Sequence, residues 1–245
     1  MRYLLLLTVL PMLHWPVAQA QSLRAQYAIV STIDVGPAGG DSPMQSISFT
    51  GYLYKKGSRY IYFEKPEYLK DRPDGQFVAN TTANTGYSFN LNTDTIQSIY
   101  YSDFDSLIYR YRIDQLSTLP NRVQNFNPNY YHWDFLTDTK EINGLHCQKA
   151  TLTLRGNLQW VLWFCPDIPM QAGIGNIKGV PGLIVEAERM SDHKHYTLDS
   201  YDANAVVPDS IFWPKEFNEP FSKPPALRSG KENDRISKKQ ELLKQ

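Results

Sequence analysis

Two alternating runs, Cys147 to Leu154 and Leu158 to Cys165, flank the turn-forming triplet Arg155-Gly156-Asn157. No other stretch constrains the fold as strongly. Side chains on a strand alternate between faces, so a hairpin's register must keep its apolar residues together. With the triplet as the loop, Ala150, Leu152 and Leu154 oppose Leu162, Trp160 and Leu158, and Gln148 opposes Phe164. The other face carries Lys149, Thr151 and Thr153 against Trp163, Val161 and Gln159. A two-residue loop that sets Leu154 against Gln159 scrambles the sorting, so the first register is expected. That register also sets Cys147 opposite Cys165 at a spacing a disulfide accepts, roughly 4.5 to 5.5 Å between Cα atoms. A bridge there is expected to contribute about 3 kcal/mol in the chain-entropy account, the alternative being two small unpaired hydrophobes on a sheet.

The start of the chain favours the oxidised reading. Met1-Arg2, an apolar run from Tyr3 to Leu13, and Ala18-Gln19-Ala20 form a charged segment, a short hydrophobic segment and a small-x-small cleavage site. Residues 1–20 are therefore expected to be a secretory signal cut near Ala20, giving a protein that is periplasmic, on the cell surface or secreted. The apolar run is too short to span a bilayer, and no later stretch reaches 18 apolar residues, so no transmembrane anchor is expected. Lys and Arg total 25 and so do Asp and Glu, a balance that argues against nucleic acid as a partner.

Sixteen Tyr, eleven Phe and five Trp lean toward sheet. Alternation recurs over 23–35, 45–54, 59–65, 76–82, 86–91, 94–101 and 106–113, each run bounded by turn residues such as Lys56-Gly57-Ser58 and Asn92-Thr93. Intervals this short favour antiparallel neighbours over crossovers. Between Asp114 and Tyr130 the pattern lapses into an Asn-rich connection. It returns at 131–136 and from Lys140, breaks again at the Pro- and Gly-rich stretch 166–179, and ends with 183–190 and 195–202. The expectation is an all-β, mainly antiparallel fold, a strongly curved sheet or partly open barrel. It occupies 21–221 as one domain, followed by a polar, charged tail over 222–245. Val180-Pro181-Gly182-Leu183 fits a type II turn, with Gly182 taking the positive φ.

Gly179-Val180-Pro181-Gly182-Leu183-Ile184 resembles the motif of the GLPGLI family of exported proteins found chiefly in Bacteroidota, with Val180 where the family usually has leucine. Lys140-Glu141-Ile142-Asn143-Gly144, Cys147-Gln148-Lys149-Ala150, Trp163-Phe164 with Asp167-Ile168-Pro169, and Gly173 support the resemblance over roughly residues 138 to 190. It implies export and a β-rich single domain. It carries over no catalytic residue.

Chemical motifs are sparse. Gly173, Gly175 and Gly179 have the wrong spacing for a dinucleotide fingerprint and lead into a turn, not a helix, so Gly179, Pro181 and Gly182 read as structural turn residues. His193 and His195 share a strand face and are weak metal candidates, with a polar strand start as the plainer reading. Glu186 and Glu188 share a face in the manner of a wet strand side, not a glycosidase pair. No GxSxG or HExxH is present. Tyr100, Tyr101, Tyr109, Tyr111, Tyr130, Tyr131, Trp133, Trp160 and Trp163 are numerous enough to line a concave surface, though most are expected in the core. Trp133, Trp163, Met170 and Tyr130 are the expected contact residues, within or beside the loops at 114–130 and 166–182. No cofactor is expected. The reading is a non-catalytic envelope or secreted protein that binds an envelope or extracellular protein. A carrier of a small hydrophobic or lipid-like ligand, and a hydrolase assembled from scattered residues, are the alternatives.

Overall fold

The computed structural model describes residues 22–34, 44–82, 85–112, 121–125 and 127–222. The expected signal over 1–20 and the tail beyond Ser222 lie outside the described residues. The strands are β1 (Ser22–Asp34), β2 (Met44–Lys56), β3 (Arg59–Pro66), β4 (Gln76–Thr82), β5 (Thr85–Asn90), β6 (Gln97–Asp103) and β7 (Ile108–Arg112), then β8 (Asn121–Asn125), β9 (Asp134–Ile142), β10 (Leu145–Leu154), β11 (Asn157–Cys165), β12 (Leu183–Arg189), β13 (Lys194–Asp202) and β14 (Phe221–Ser222). Twelve of them form one sheet in the order β14-β8-β7-β6-β3-β2-β1-β13-β12-β11-β10-β9, while β4 and β5 pair apart. The fold is all-β and mainly antiparallel as expected, β14 with β8 being the parallel exception, and the sheet does not close into a barrel. Two meanders of sequential strands make up the sheet, joined where β1 pairs with β13 from Arg24↔Asp202 to Val30↔His195. No helix among the described residues is long and apolar enough to cross a membrane.

Burial follows the pleat. Leu23, Ala25, Tyr27 and Ile29 of β1, Tyr60 and Tyr62 of β3, and Ala150, Leu152, Trp160, Leu162 and Phe164 of the β10–β11 hairpin belong to one core. The loop between β11 and β12 adds Met170, Ala172, Ile174, Ile177 and Val180 to it. The opposite side of β3 and β6 offers Ile61, Phe63, Ile99 and Tyr101 to Ala205, Val207, Phe212 and Phe217 of the segment after β13. β3 is thus covered on both faces, and Tyr60, Ile61, Tyr62 and Phe63 are buried in succession instead of alternately.

Four expectations need correction. First, β8 lies inside the stretch expected to be a loop. Its sequence, NRVQN, lacks alternation, and Asn121 holds it in place by donating from Nδ2 to the carbonyls of Glu216 (2.7 Å) and Glu219 (3.1 Å). Second, the hairpin keeps the expected register from Gln148↔Phe164 to Leu152↔Trp160 but shifts at Thr153, giving Thr153↔Leu158 and Leu154↔Asn157. The turn is then Arg155-Gly156 with φ of 53° and 82°, a primed two-residue turn whose twist matches that of the strands. Leu154 and Leu158 are left exposed at the tip.

Third, the expected disulfide is not seen. The β10–β11 ladder ends at Gln148↔Phe164, one pair short of Cys147 and Cys165. Both cysteines are free and buried, with the Cys147 thiol 3.4 Å from the Leu145 carbonyl oxygen. Fourth, Gly182 does not carry a positive φ; the left-handed residue is Gly179, at 82°. Gly182 serves close approach, because a Cβ there would stand 2.2 Å from the Cys165 carbonyl oxygen.

Candidate ligand-binding site

A cleft of about 530 Å³ opens beside β6, β7 and β8. Register builds its floor. Tyr100 opposes Tyr111 across β6 and β7, and Tyr109 opposes Gln124 across β7 and β8. Tyr109 and Tyr111, two apart, share the face that Tyr100 and Gln124 also use. The rings run nearly parallel, with Tyr109 and Tyr111 centroids 5.0 Å apart and Tyr100 6.5 Å from each.

Residues 127–131 make one rim. The Asn127 side chain accepts from the Asn129 amide at 2.9 Å, a local turn that sets out Tyr130 and Tyr131 with their rings edge to face at 5.1 Å. The opposite rim is a small antiparallel excursion within the loop between β11 and β12. There Gly173 N donates to Ile177 O and Gly179 N to Gln171 O, both at 3.0 Å, around a bridge between Ala172 and Lys178. Asn176 Nδ2 donates to the Tyr131 hydroxyl at 3.0 Å and ties the two rims together. Trp133, buried below, donates from Nε1 to the Lys178 carbonyl at 2.8 Å.

Lys178 gives the cleft its electrostatic character. Its Nζ lies 3.5 Å from the Tyr109 ring centroid and donates to the Asn176 carbonyl at 3.3 Å. Burial lowers the amine from 10.5 to about 7, because the interior solvates the charged form poorly. The same burial raises the phenols of Tyr109 and Tyr131, with neighbouring tyrosines adding to it, so both remain neutral donors and acceptors. The described lining residues are tyrosine, asparagine, glutamine and this lysine, with no His, Cys, Asp or Glu among them.

Tyr100 is also a wall of a second cavity, of about 310 Å³. Its charges are matched internally. Lys194 Nζ donates to Glu64 Oε2 at 2.5 Å, with both side chains buried, and the Tyr62 hydroxyl donates to Glu64 Oε1 at 3.0 Å. Arg189 pairs with Asp192 through two nitrogens, and Arg112 reaches Glu219 at 2.9 Å and Asp94 at 3.7 Å. Buried ions persist only when paired in this way.

Of the four expected contact residues, Tyr130 lies on the cleft and Trp133 beneath it. Met170 is buried against a separate cavity with Lys55 and Tyr60. Trp163 sits half-buried, flanked by Lys140 at 4.5 Å and Lys149 at 5.7 Å. His193 and His195 both approach Glu188 Oε1, at 3.6 and 3.7 Å, and no group of three potential metal ligands forms among the described residues. Glu186 is on the wet side, paired with Lys140 at 2.6 Å. Lys178, Glu64 and Lys194 were not singled out by sequence. Lys178 lies in a glycine-rich loop without periodicity, and Glu64 and Lys194 are 130 residues apart.

No family model and no curated protein matches the chain. Among solved structures, two crystal forms of PNGF-II resemble it with TM-scores of 0.48 and 0.46, at 13% and 14% identity, each over 89% of this chain. The chain covers 33% of PNGF-II. An uncharacterized conserved protein from Thermus thermophilus is similar with a TM-score of 0.37 and 6% identity, over 84% of this chain and 91% of that one. Likenesses this distant carry no functional argument.

Proposed function

We propose that this chain is an exported, non-catalytic binding protein of the GLPGLI type whose ligand is a glycan seated in the tyrosine cleft. Export is supported by the leader-like sequence of residues 1–20, and the family by the motif at Gly179 to Ile184. The carrying observation is the pairing of a tyrosine platform with a rim of side-chain amides. Flat aromatic faces suit the C–H faces of a sugar ring, and Asn176, Asn127 and Gln124 offer both donors and acceptors to its hydroxyls. A cleft of about 530 Å³ falls within the usual range for small-ligand sites. Phenols and amides at this density are poorly matched to an acyl chain, which places the lipid-carrier reading second.

Isothermal titration of the purified chain against a panel of neutral and acidic oligosaccharides tests the reading, with Tyr109→Ala as control. Saturable binding to a sugar, weakened about tenfold or more by Tyr109→Ala, is expected. Binding of a fatty acid or phospholipid with no sugar bound would refute it.

A further inference from the structure

The tyrosine cleft and the cavity of about 310 Å³ share one wall, Tyr100. Register explains why. Tyr62 of β3 opposes Tyr100 of β6, and Tyr100 opposes Tyr111 of β7, so the three stand in a row across the strands on one face of the sheet. Neighbouring strands lie roughly 4.8 Å apart, and a ligand following this row runs across them, from the cleft over Tyr100 to the cavity. The far wall of the cavity is held in place. Gln97 donates from Nε2 to the carbonyls of Asn92 (3.0 Å) and Asp94 (2.9 Å), and the Tyr68 hydroxyl donates to the Asn92 carbonyl at 2.6 Å. The compartment is therefore formed before anything enters it, which lowers the cost of binding there. Its ions are matched, Lys194 with Glu64, Arg189 with Asp192 and Arg112 with Glu219. Pairs already satisfied offer little to a net charge, whereas a hydroxyl donates to the carboxylate of a pair and accepts from its cation without parting them.

We infer that the ligand is an oligosaccharide and not a single sugar, resting on Tyr109 and Tyr111 and passing over Tyr100 so that an uncharged unit at its end enters the neighbouring cavity. Asp192, Arg189 and Asn92 of the cavity lining meet the hydroxyls of that unit. The inference rests on the cleft being a glycan site. It has a consequence that a site confined to the cleft lacks. A short sugar fills the cleft alone, whereas a longer chain adds hydrogen bonds to charged groups in the second compartment, so affinity climbs with chain length until both are occupied.

The test is calorimetric titration of the intact chain with length series of neutral gluco-, galacto-, manno- and xylo-oligosaccharides. Within a series that binds, affinity is expected to rise about tenfold or more from the shortest binder to the longest and then to level off. Ile33→Trp puts bulk into the cavity at a residue that does not line the cleft, and should bring long oligomers down to the affinity of the shortest binder. Asn92→Ala removes a polar group from the same cavity and should take away part of the gain. Tyr111→Ala should weaken every length. Affinity that does not change with length, binding of acidic sugars alone, or a gain that survives both Ile33→Trp and Asn92→Ala overturns the inference and leaves the glycan reading standing. Binding of none of these series, nor of any sugar in the wider panel, overturns both.

Discussion

Replacing Lys178 by methionine should make the protein more stable at neutral pH, although the lysine makes visible contacts. Lowering an amine from 10.5 to about 7 is a difference of ~3.5 in pKa, and at ~1.36 kcal/mol each this amounts to ~4–5 kcal/mol at the acid limit. Methionine forgoes the neutral amine's own contacts with the Tyr109 face and the Asn176 carbonyl, about 1–2 kcal/mol, which leaves a net gain of ~3 kcal/mol. Methionine matches the length of the stem and needs no hydrogen bond. Its backbone keeps the Trp133 and Ala172 contacts. The sign follows from proton counts: between about pH 7 and 10.5 the unfolded chain holds a proton on this amine that the folded chain does not. Stability of the unaltered protein contributed by this group therefore rises with pH across that window, and the penalty is complete below about 7. Urea unfolding followed by tryptophan fluorescence at pH 6, 7, 8.5 and 10 checks this. The Lys178→Met advantage should be ~3 kcal/mol at pH 6, about 6–12 °C in Tm, and should fade toward pH 10. A variant less stable than its parent at pH 6, or an advantage that does not shrink with pH, refutes the reasoning.

Gly182→Ala forces a Cβ to within 2.2 Å of the Cys165 carbonyl and should cost about 3 kcal/mol. Gly179→Ala meets nothing closer than 3.4 Å and should cost only the ~1 kcal/mol of its left-handed backbone, an ordering that urea midpoints will read. Lys194→Met strands the buried Glu64 carboxylate and should cost about 3–5 kcal/mol, with Glu64→Gln added in the same chain recovering part of it in a double-mutant cycle. Burial raises the Cys147 thiol to about 11 and the Cys165 thiol likewise upward. In the folded protein both should resist iodoacetamide at pH 8 and react within minutes after unfolding; failure to react after unfolding without reductant would show that they are joined.

Much of the sheet can be read directly from alternation. The Ala150/Leu162 and Leu152/Trp160 pairs fix the hairpin register because any slip exposes them. The turn is less legible, since a bulge at Gln159, opposite Leu152 and Thr153, reconciles that register with a two-residue loop and alternation says nothing about bulges. β8 escapes detection because its strand state depends on Asn121 contacts to residues some hundred positions later. The cleft is half visible. Tyr109 and Tyr111 announce a shared face, but meeting Tyr100 requires the register across the 104–107 turn, and meeting Lys178 requires the path of a glycine-rich loop.

Two meanders, β1 to β8 and β9 to β13, each pair strands that are close in sequence, whereas the seam between them joins Arg24 to Asp202. Closing local hairpins is fast and closing a loop of that span is slow, so each half can organise early while the sheet as a whole waits for β13. A chain emerging end-first from a ribosome or a membrane channel therefore has no complete core until residues near Asp202 are free. Until then β1 and β12 each lack a partner along one edge, and a protein that binds extended strands has its opportunity during that interval.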